Sequence, residues 1–257
     1  MGTVATGNPQ RFDALGFAQL AAWLVLAVIF YPVSPVFAAI VAGGIPFILR
    51  RTLWPHLAQP DDLAIAFGVP ASFAMMGVAN SAIRKLTPHT IDAQLSALDF
   101  GVGRGVWIFA KAHTWFLQPI TVAYLALPEA MLLAAFLAKS ERSRLLLSMI
   151  LGFVLIVPCY LLFPAVGPVH VGDPAAARDC MPSMHLTWAL LLWMNSRGRI
   201  RPVFAVFAGL TAVATLATGE HYLPDLVVAV PWAWALNKLA DLILTARRRK
   251  KLKLRPA

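Results

Sequence analysis

Two short segments of this 257-residue chain carry the residues whose types suit chemistry: Ser183 and His185 in CMPSMHLTWALLLW, and His221 and Asp225 in GEHYLPDLVVAVPW. That chemistry is phosphoryl transfer. A neutral imidazole attacks phosphorus through one nitrogen when a carboxylate accepts a hydrogen bond from the other and stabilises the cation that forms. Asp225, in the first turn after His221, has the spacing for that partnership. A second imidazole protonates the departing alkoxide and later deprotonates the incoming acceptor, and His185 is the candidate. The Ser183 hydroxyl and nearby backbone N–H groups would hold the phosphoryl oxygens. Pro182 and Pro224 mark where two helices are expected to begin, because proline suits a first helical turn, where its missing N–H loses no bond. Two helix N-termini aimed at one spot offer an anion free N–H groups and the positive ends of two dipoles.

These polar residues are set in an apolar chain. Hydrophobic residues make up 59% of it and charged residues 13%, with a mean hydropathy of +0.70, which excludes an ordinary soluble domain and implies an integral membrane protein. A helix needs about 20 apolar residues to cross about 30 Å of hydrocarbon, and runs at 15–32, 34–49, 63–80, 115–138, 145–164, 183–196, 202–218 and 223–244 give about eight spans. The expected fold class is therefore all-α, a polytopic transmembrane helical bundle. Pro46, Pro70 and Pro128 fall inside spans, where neighbouring groups satisfy the carbonyls they free. No small-residue cleavage site follows the first apolar run, so that run is expected to be a retained span. Cys159 and Cys180 define no disulfide framework, and no Cys/His cluster has ligand spacing. Neither a disulfide nor a metal is expected.

The net charge of +10 could suggest nucleic acid, but much of it lies in the tail ARRRKKLKLR directly after an apolar run. A juxtamembrane cluster of this kind reads as a contact with anionic membrane lipids and as a topology signal. Arg50 and Arg51, the turn KSERSR (139–144), the turn RGRIR (197–201) and the tail fall on one side of the membrane. That side, with both termini, is expected to be cytoplasmic. The other side receives the turn at 31–35, a long loop at 81–114, the loop 165–182 and the tight turn 219–222, and so the candidate site. In a bacterium this is the periplasmic face of the inner membrane. Arg84, Lys85, Arg104, Lys111 and Arg178 are the cations on that face.

PSMH at 182–185 and HYLPD at 221–225 resemble the second and third signature motifs of the type 2 phosphatidic acid phosphatase superfamily, whose members are membrane-embedded helical phosphatases and phosphotransferases. The PSxH and HYxxD forms are similar in particular to the branch that includes inositol phosphorylceramide synthases. The resemblance implies a six-helix catalytic core over 113–244, with 1–112 as additional N-terminal spans and an outer loop, and 245–257 as a basic cytoplasmic tail. It implies His221 as nucleophile, Asp225 as its partner and His185 as acid and base. The Lys and Arg-Pro of the family's first motif have no counterpart in FPAVGPVHVGDPAAARDCMPSMH, and Thr215 stands where an arginine commonly precedes the third-motif histidine. Arg178 is the first substitute for a phosphate contact and His170 the second, with Arg84 or Lys85 as further contributors. Glu220, beside His221, could support an imidazole, and Glu129 could line a substrate cavity. The implied activity is a lipid phosphate phosphatase or a phospholipid head-group phosphotransferase working through a phosphohistidine, without cofactor. Its substrate would be a lipid phosphate or phospholipid, and a lipid alcohol is a possible acceptor. The alternative is a transporter or flippase-like protein that binds the same head group without turnover.

Overall fold

A computed structural model describes residues 76, 77, 79–137 and 141–253, all within a compact unit formed by residues 68–257. The expected spans at 15–32 and 34–49, most of 63–80, and the residues Pro46, Arg50, Arg51 and Pro70 lie outside the described residues. After helical residues 79–86 come α1 (Asp92–Leu98), α2 (Val102–Ala112), α3 (Thr114–Leu125), α4 (Leu127–Leu137), α5 (Arg142–Leu162), α6 (Met184–Met194), α7 (Arg201–Ala217) and α8 (Leu223–Lys253). Short 3-10 turns occupy Pro168–His170 and Gly198–Ile200, and no strand occurs among the described residues.

Among the described residues, three stretches are long and apolar enough to cross a membrane, Arg142–Leu162, Gly198–Ala217 and Leu223–Arg247, and α3 with α4 makes a fourth if the pair counts as one span bent by 43°. At 1.5 Å per residue α5 is about 31 Å long, the thickness of the hydrocarbon layer. The expected spans at 145–164, 202–218 and 223–244 thus fall on α5, α7 and α8. The one expected at 115–138 is two helices instead. Ala126 ends α3 by donating its N–H to Val122 O, and Pro128 is the second residue of α4, where its lack of an N–H breaks no helical bond. The expected span at 183–196 also needs correction: α6 has 11 residues, about 17 Å, and is too short to cross alone.

α6 nevertheless sits at the centre, packed against α4, α5, α7 and α8. Its sequence, MHLTWALLLWM, is apolar on every side, which is the pattern of a helix surrounded by protein. Met184, Leu186, Thr187, Trp188, Ala189, Leu191 and Leu192 are all buried. The surrounding helices differ. α7 exposes Val203, Val206, Leu210 and Val213, and α8 exposes Val227, Val230 and Trp234. Those spacings of three and four residues draw one apolar stripe down each helix, the outward face that hydrocarbon requires.

The segment 81–114, expected as a loop, is mostly helical. Its charges at Arg104 and Lys111 lie on the exposed part of α2, while Gly103 and Ala110 are buried. Gly101, at φ 77°, sits in the left-handed conformation that turns the chain from α1 into α2. α2 then packs on α7, and α1 meets α8.

Candidate active site

The starts of α6 and α8 are joined directly. Ser183 is the N-cap of α6, its Oγ accepting from Leu186 N–H at 3.4 Å. Its own N–H donates to the Asp225 carbonyl oxygen at 3.2 Å. Pro224 is the second residue of α8, as expected of a helix start. Pro182 instead precedes the cap, after a cis Met181–Pro182 bond, so it lies just outside its helix.

This junction brings the expected catalytic residues together. Ser183 Oγ lies 3.2 Å from His221 Nε2, and Asp225 Oδ2 lies 3.5 Å from His221 Nδ1. Ser183, His221 and Asp225 are all buried. His185 faces them, its ring centre 6.3 Å from that of His221 at an interplanar angle of 66°. Tyr124 fixes the His185 ring by stacking at 4.0 Å and 18° and by a contact of 3.2 Å between its hydroxyl and Nδ1.

Cys180 belongs to this group as well, although sequence reasoning set it aside. Its thiol donates to Asp225 Oδ2 at 2.7 Å, lies 3.4 Å from His221 Nδ1 and reaches Glu220 O at 3.1 Å. The Tyr222 N–H donates to the same Asp225 oxygen at 2.7 Å. Thiol and backbone therefore hold the carboxylate, while the imidazole must close by a few tenths of an ångström to bond within the ordinary range of about 3.2 Å. The other oxygen, Asp225 Oδ1, is buried and has no hydrogen-bond partner among the described residues. Burial, reinforced by the Asp225 charge, pushes the Cys180 thiol well above its ordinary pKa. It remains a thiol at neutral pH.

The residues considered for phosphate contact take other partners. Arg178 is buried and its Nε reaches the Thr87 carbonyl oxygen at 3.5 Å. Among the described residues, none of its hydrogen bonds goes to Ser183, His185, His221 or Asp225. Arg84 donates to Ala175 O at 2.7 Å. His170 Nε2 lies 3.1 Å from Glu220 Oε2, both side chains being part-exposed, so Glu220 supports the imidazole of His170. Glu129 lies in the first turn of α4 with Oε2 unpartnered.

A frame of carboxylates holds the irregular backbone around these groups. Asp92 accepts from Val166 N–H at 3.1 Å and Gly167 N–H at 3.2 Å. Asp99 accepts from Gly103 N–H at 2.9 Å and from Leu223 N–H, the first of α8, at 2.7 Å. Asp179, held by Asn80 at 2.6 Å, is pushed above the usual carboxylate range by burial, against the opposing pull of His221. Gly167 has φ 82°, and a Cβ there would stand 2.2 Å from Glu220 O. Only glycine permits that contact between the loop before α6 and the turn before His221. None of Asp92, Asp99, Asp179, Cys180 or Tyr124 belongs to the two motifs, and each has at least one partner far off in sequence.

Helices able to cross a membrane, and two helix starts converging on a serine, two histidines and an aspartate, define a membrane protein with a candidate phosphoryl-transfer site. The family model of the PAP2 superfamily matches residues 169–239, a stretch that contains His170, Arg178, Ser183, His185, His221 and Asp225. The match supports the type 2 phosphatidic acid phosphatase superfamily and suggests a phosphatase-type activity. Comparisons with curated proteins and with solved structures give no match.

Proposed function

We propose that the protein is a membrane-embedded lipid phosphatase or head-group phosphotransferase that works through a phosphohistidine on His221. The observation that carries this reading is the placement of Ser183 Oγ on one nitrogen of the His221 ring, at 3.2 Å, with Asp225 at the other. Nε2 of His221 attacks phosphorus while Asp225 accepts from Nδ1–H and stabilises the imidazolium that forms. The P–O bond to the lipid breaks, and the departing alkoxide takes a proton from His185. Tyr124 occupies Nδ1 of His185, so this exchange falls to Nε2. In the second half-reaction His185 deprotonates water or an acceptor hydroxyl, which attacks phosphorus and frees His221. Ser183 Oγ marks where a phosphoryl oxygen arrives, beside the N-terminus of α6.

The likeness of PSMH and HYLPD to a branch that contains transferases supports transfer as well as hydrolysis. A labelled phospholipid supplied with candidate lipid alcohols separates them. Label moving onto an alcohol faster than into water identifies a transferase, and release of inorganic phosphate alone at saturating alcohol identifies a hydrolase for those acceptors. A protein that binds lipid phosphate yet yields neither product, with no phosphoenzyme on His221, would sink the enzymatic reading.

The reading places the site at the outer face of the membrane, the basic tail meeting anionic lipid on the inner one. Asp173 and Gly198 are both exposed, so a cysteine at Asp173 should react with an impermeant reagent in intact cells and one at Gly198 should not. The reverse pattern would invert the orientation. Gly219 is unsuitable as a reporter because it is buried at φ 78°, with Trp107 2.9 Å from where a Cβ would stand.

A further inference from the structure

We propose that Cys180, His221 and Asp225 form a binding site for a zinc-class divalent ion, and that its occupation silences the nucleophile. The first half stands on geometry alone; the second rests on the role proposed for His221. Sγ, Nδ1 and Oδ2 all lie within 4.8 Å of one another. A tetrahedral zinc ion has bonds of about 2.3 Å to sulfur and about 2.0–2.2 Å to nitrogen and oxygen, so its ligand atoms stand about 3.3–3.6 Å apart. The separations here are 3.4 Å from sulfur to nitrogen and 3.5 Å from nitrogen to oxygen. The sulfur and oxygen are closer, at 2.7 Å, because a thiol proton joins them. Replacing that proton with a metal ion separates the pair by less than about 1 Å, within the movement of two side-chain torsions.

Three further features suit a cation. Asp225 is fully buried and its Oδ1 has no partner among the described residues, so the carboxylate is under-satisfied and a cation at Oδ2 stabilises its charge. A thiolate and a carboxylate neutralise a divalent ion, so the filled site carries no net charge into the protein interior. The imidazole nitrogen not used for ligation faces Ser183 Oγ at 3.2 Å, the kind of second contact that orients a ligating histidine.

The consequence for His221 follows from proton bookkeeping. Binding releases the Cys180 thiol proton to solvent and moves the ring proton of neutral His221 from Nδ1 to Nε2. The ion bonds to Nδ1, and Nε2–H then donates to Ser183. No lone pair is left on Nε2 to attack phosphorus.

Cobalt(II) is the probe, because a thiolate bound to it produces a charge-transfer absorption in the near ultraviolet. Purified full-length protein in detergent should develop this band up to one equivalent of Co2+, and Zn2+ should abolish it. Cys159→Ser should keep the band, whereas Cys180→Ser should lose it and His221→Ala should weaken binding at least tenfold. Absence of the band in the wild type, or its persistence in Cys180→Ser, overturns the site. Zn2+ should also lower phosphate release or transfer at least tenfold, reversibly with chelator. Cys180→Ala should resist that inhibition relative to its own activity. A cobalt band without inhibition by zinc overturns the second half and counts against His221 as nucleophile, while leaving the metal site standing.

Discussion

At the histidine end of α6, Asp92, Asp99, Arg84 and Arg178 bond to backbone; at the other end Glu141, Arg144 and Arg197 bond to other side chains. Near His221, Asp92 holds two backbone N–H groups, Asp99 two more and Asp225 one, while Arg84 and Arg178 hold carbonyls. At the far end Arg144 pairs with one oxygen of Glu141 at 2.8 Å and Arg197 takes the other. Arg144 also donates to Asn195 at 2.8 Å, and Asn195 to Asn237 at 3.0 Å. The difference follows from backbone geometry. Residues 163–183 form a long passage without α-helix whose polar groups need partners, whereas at the far end the connection from α6 to α7 is short and includes the 3-10 turn Gly198–Ile200. Convergence of His185 at the start of α6 with His221 in the turn before α8 involves irregular backbone, and buried charge stabilises that backbone.

The contrast is tested most severely by paired substitutions. His221→Ala should abolish turnover and covalent labelling by lipid phosphate while the protein remains folded by circular dichroism, and Asn195→Ala should leave activity per folded molecule within about twofold. Appreciable activity in the first variant would remove the nucleophile. Next in size, Gly167→Ala should destabilise the protein by well over about 1 kcal/mol, since its Cβ meets the Glu220 carbonyl in a left-handed position. A thermal midpoint equal to wild type would show that the loop and turn are not pressed together. Asp99→Ala strips the acceptor from the first N–H of α8 and should cost about 1–3 kcal/mol, lowering activity with it. Asp99→Asn, which keeps one acceptor oxygen, should recover part of both.

A smaller effect concerns Cys180. Its pKa is raised, so the folded thiol keeps its proton at pH values where an ordinary thiol, near about 8.5, has lost it. In a Cys159→Ser background, alkylation at pH 9 should be slow until the protein is unfolded. By the same linkage, Cys180 favours the folded state below the ordinary thiol range and ceases to do so as pH climbs through its raised folded value. Rapid alkylation of folded protein at that pH would contradict the burial. Least of all, Arg197→Ala should cost under about 1 kcal/mol, because its side chain is 72% exposed.

Sequence reading succeeded where one local rule decides the outcome. The lengths of the apolar runs at 145–164, 202–218 and 223–244 anticipated α5, α7 and α8, and the residue types at 183–185 and 221–225 anticipated the groups that meet. It failed where distance or geometry decides. A run of apolar residues does not reveal the break at Ala126 or the shortness of α6, because burial in protein and burial in lipid select the same side chains. Residues 81–114 looked like a loop because their charges interrupt the hydrophobic pattern, although Arg104 and Lys111 fall on one exposed part of a helix. Asp99 meets Leu223 across 124 positions, and no spacing rule links them. Cys180 was judged by ligand spacing along the chain, whereas its partners arrive from another helix.

The carboxylates that hold the backbone also shape the entrance for an anion. Asp92, Asp99 and Asp225 are buried; Asp99 bonds to Leu223 N–H and Asp225 to Tyr222 N–H, while Asp92 holds the facing loop at Val166 and Gly167, so three carboxylates lie around the turn that carries His221. Arg84 and Arg178 keep their positive charge while bonding to carbonyls, and so offset part of that field. In a medium less polar than water such charges act over several ångströms, and every additional negative charge on an incoming head group is opposed by all three. Under the proposed function, a singly charged phosphodiester would meet a weaker opposing field here than a doubly charged monoester, a difference that rates measured with matched esters would reveal.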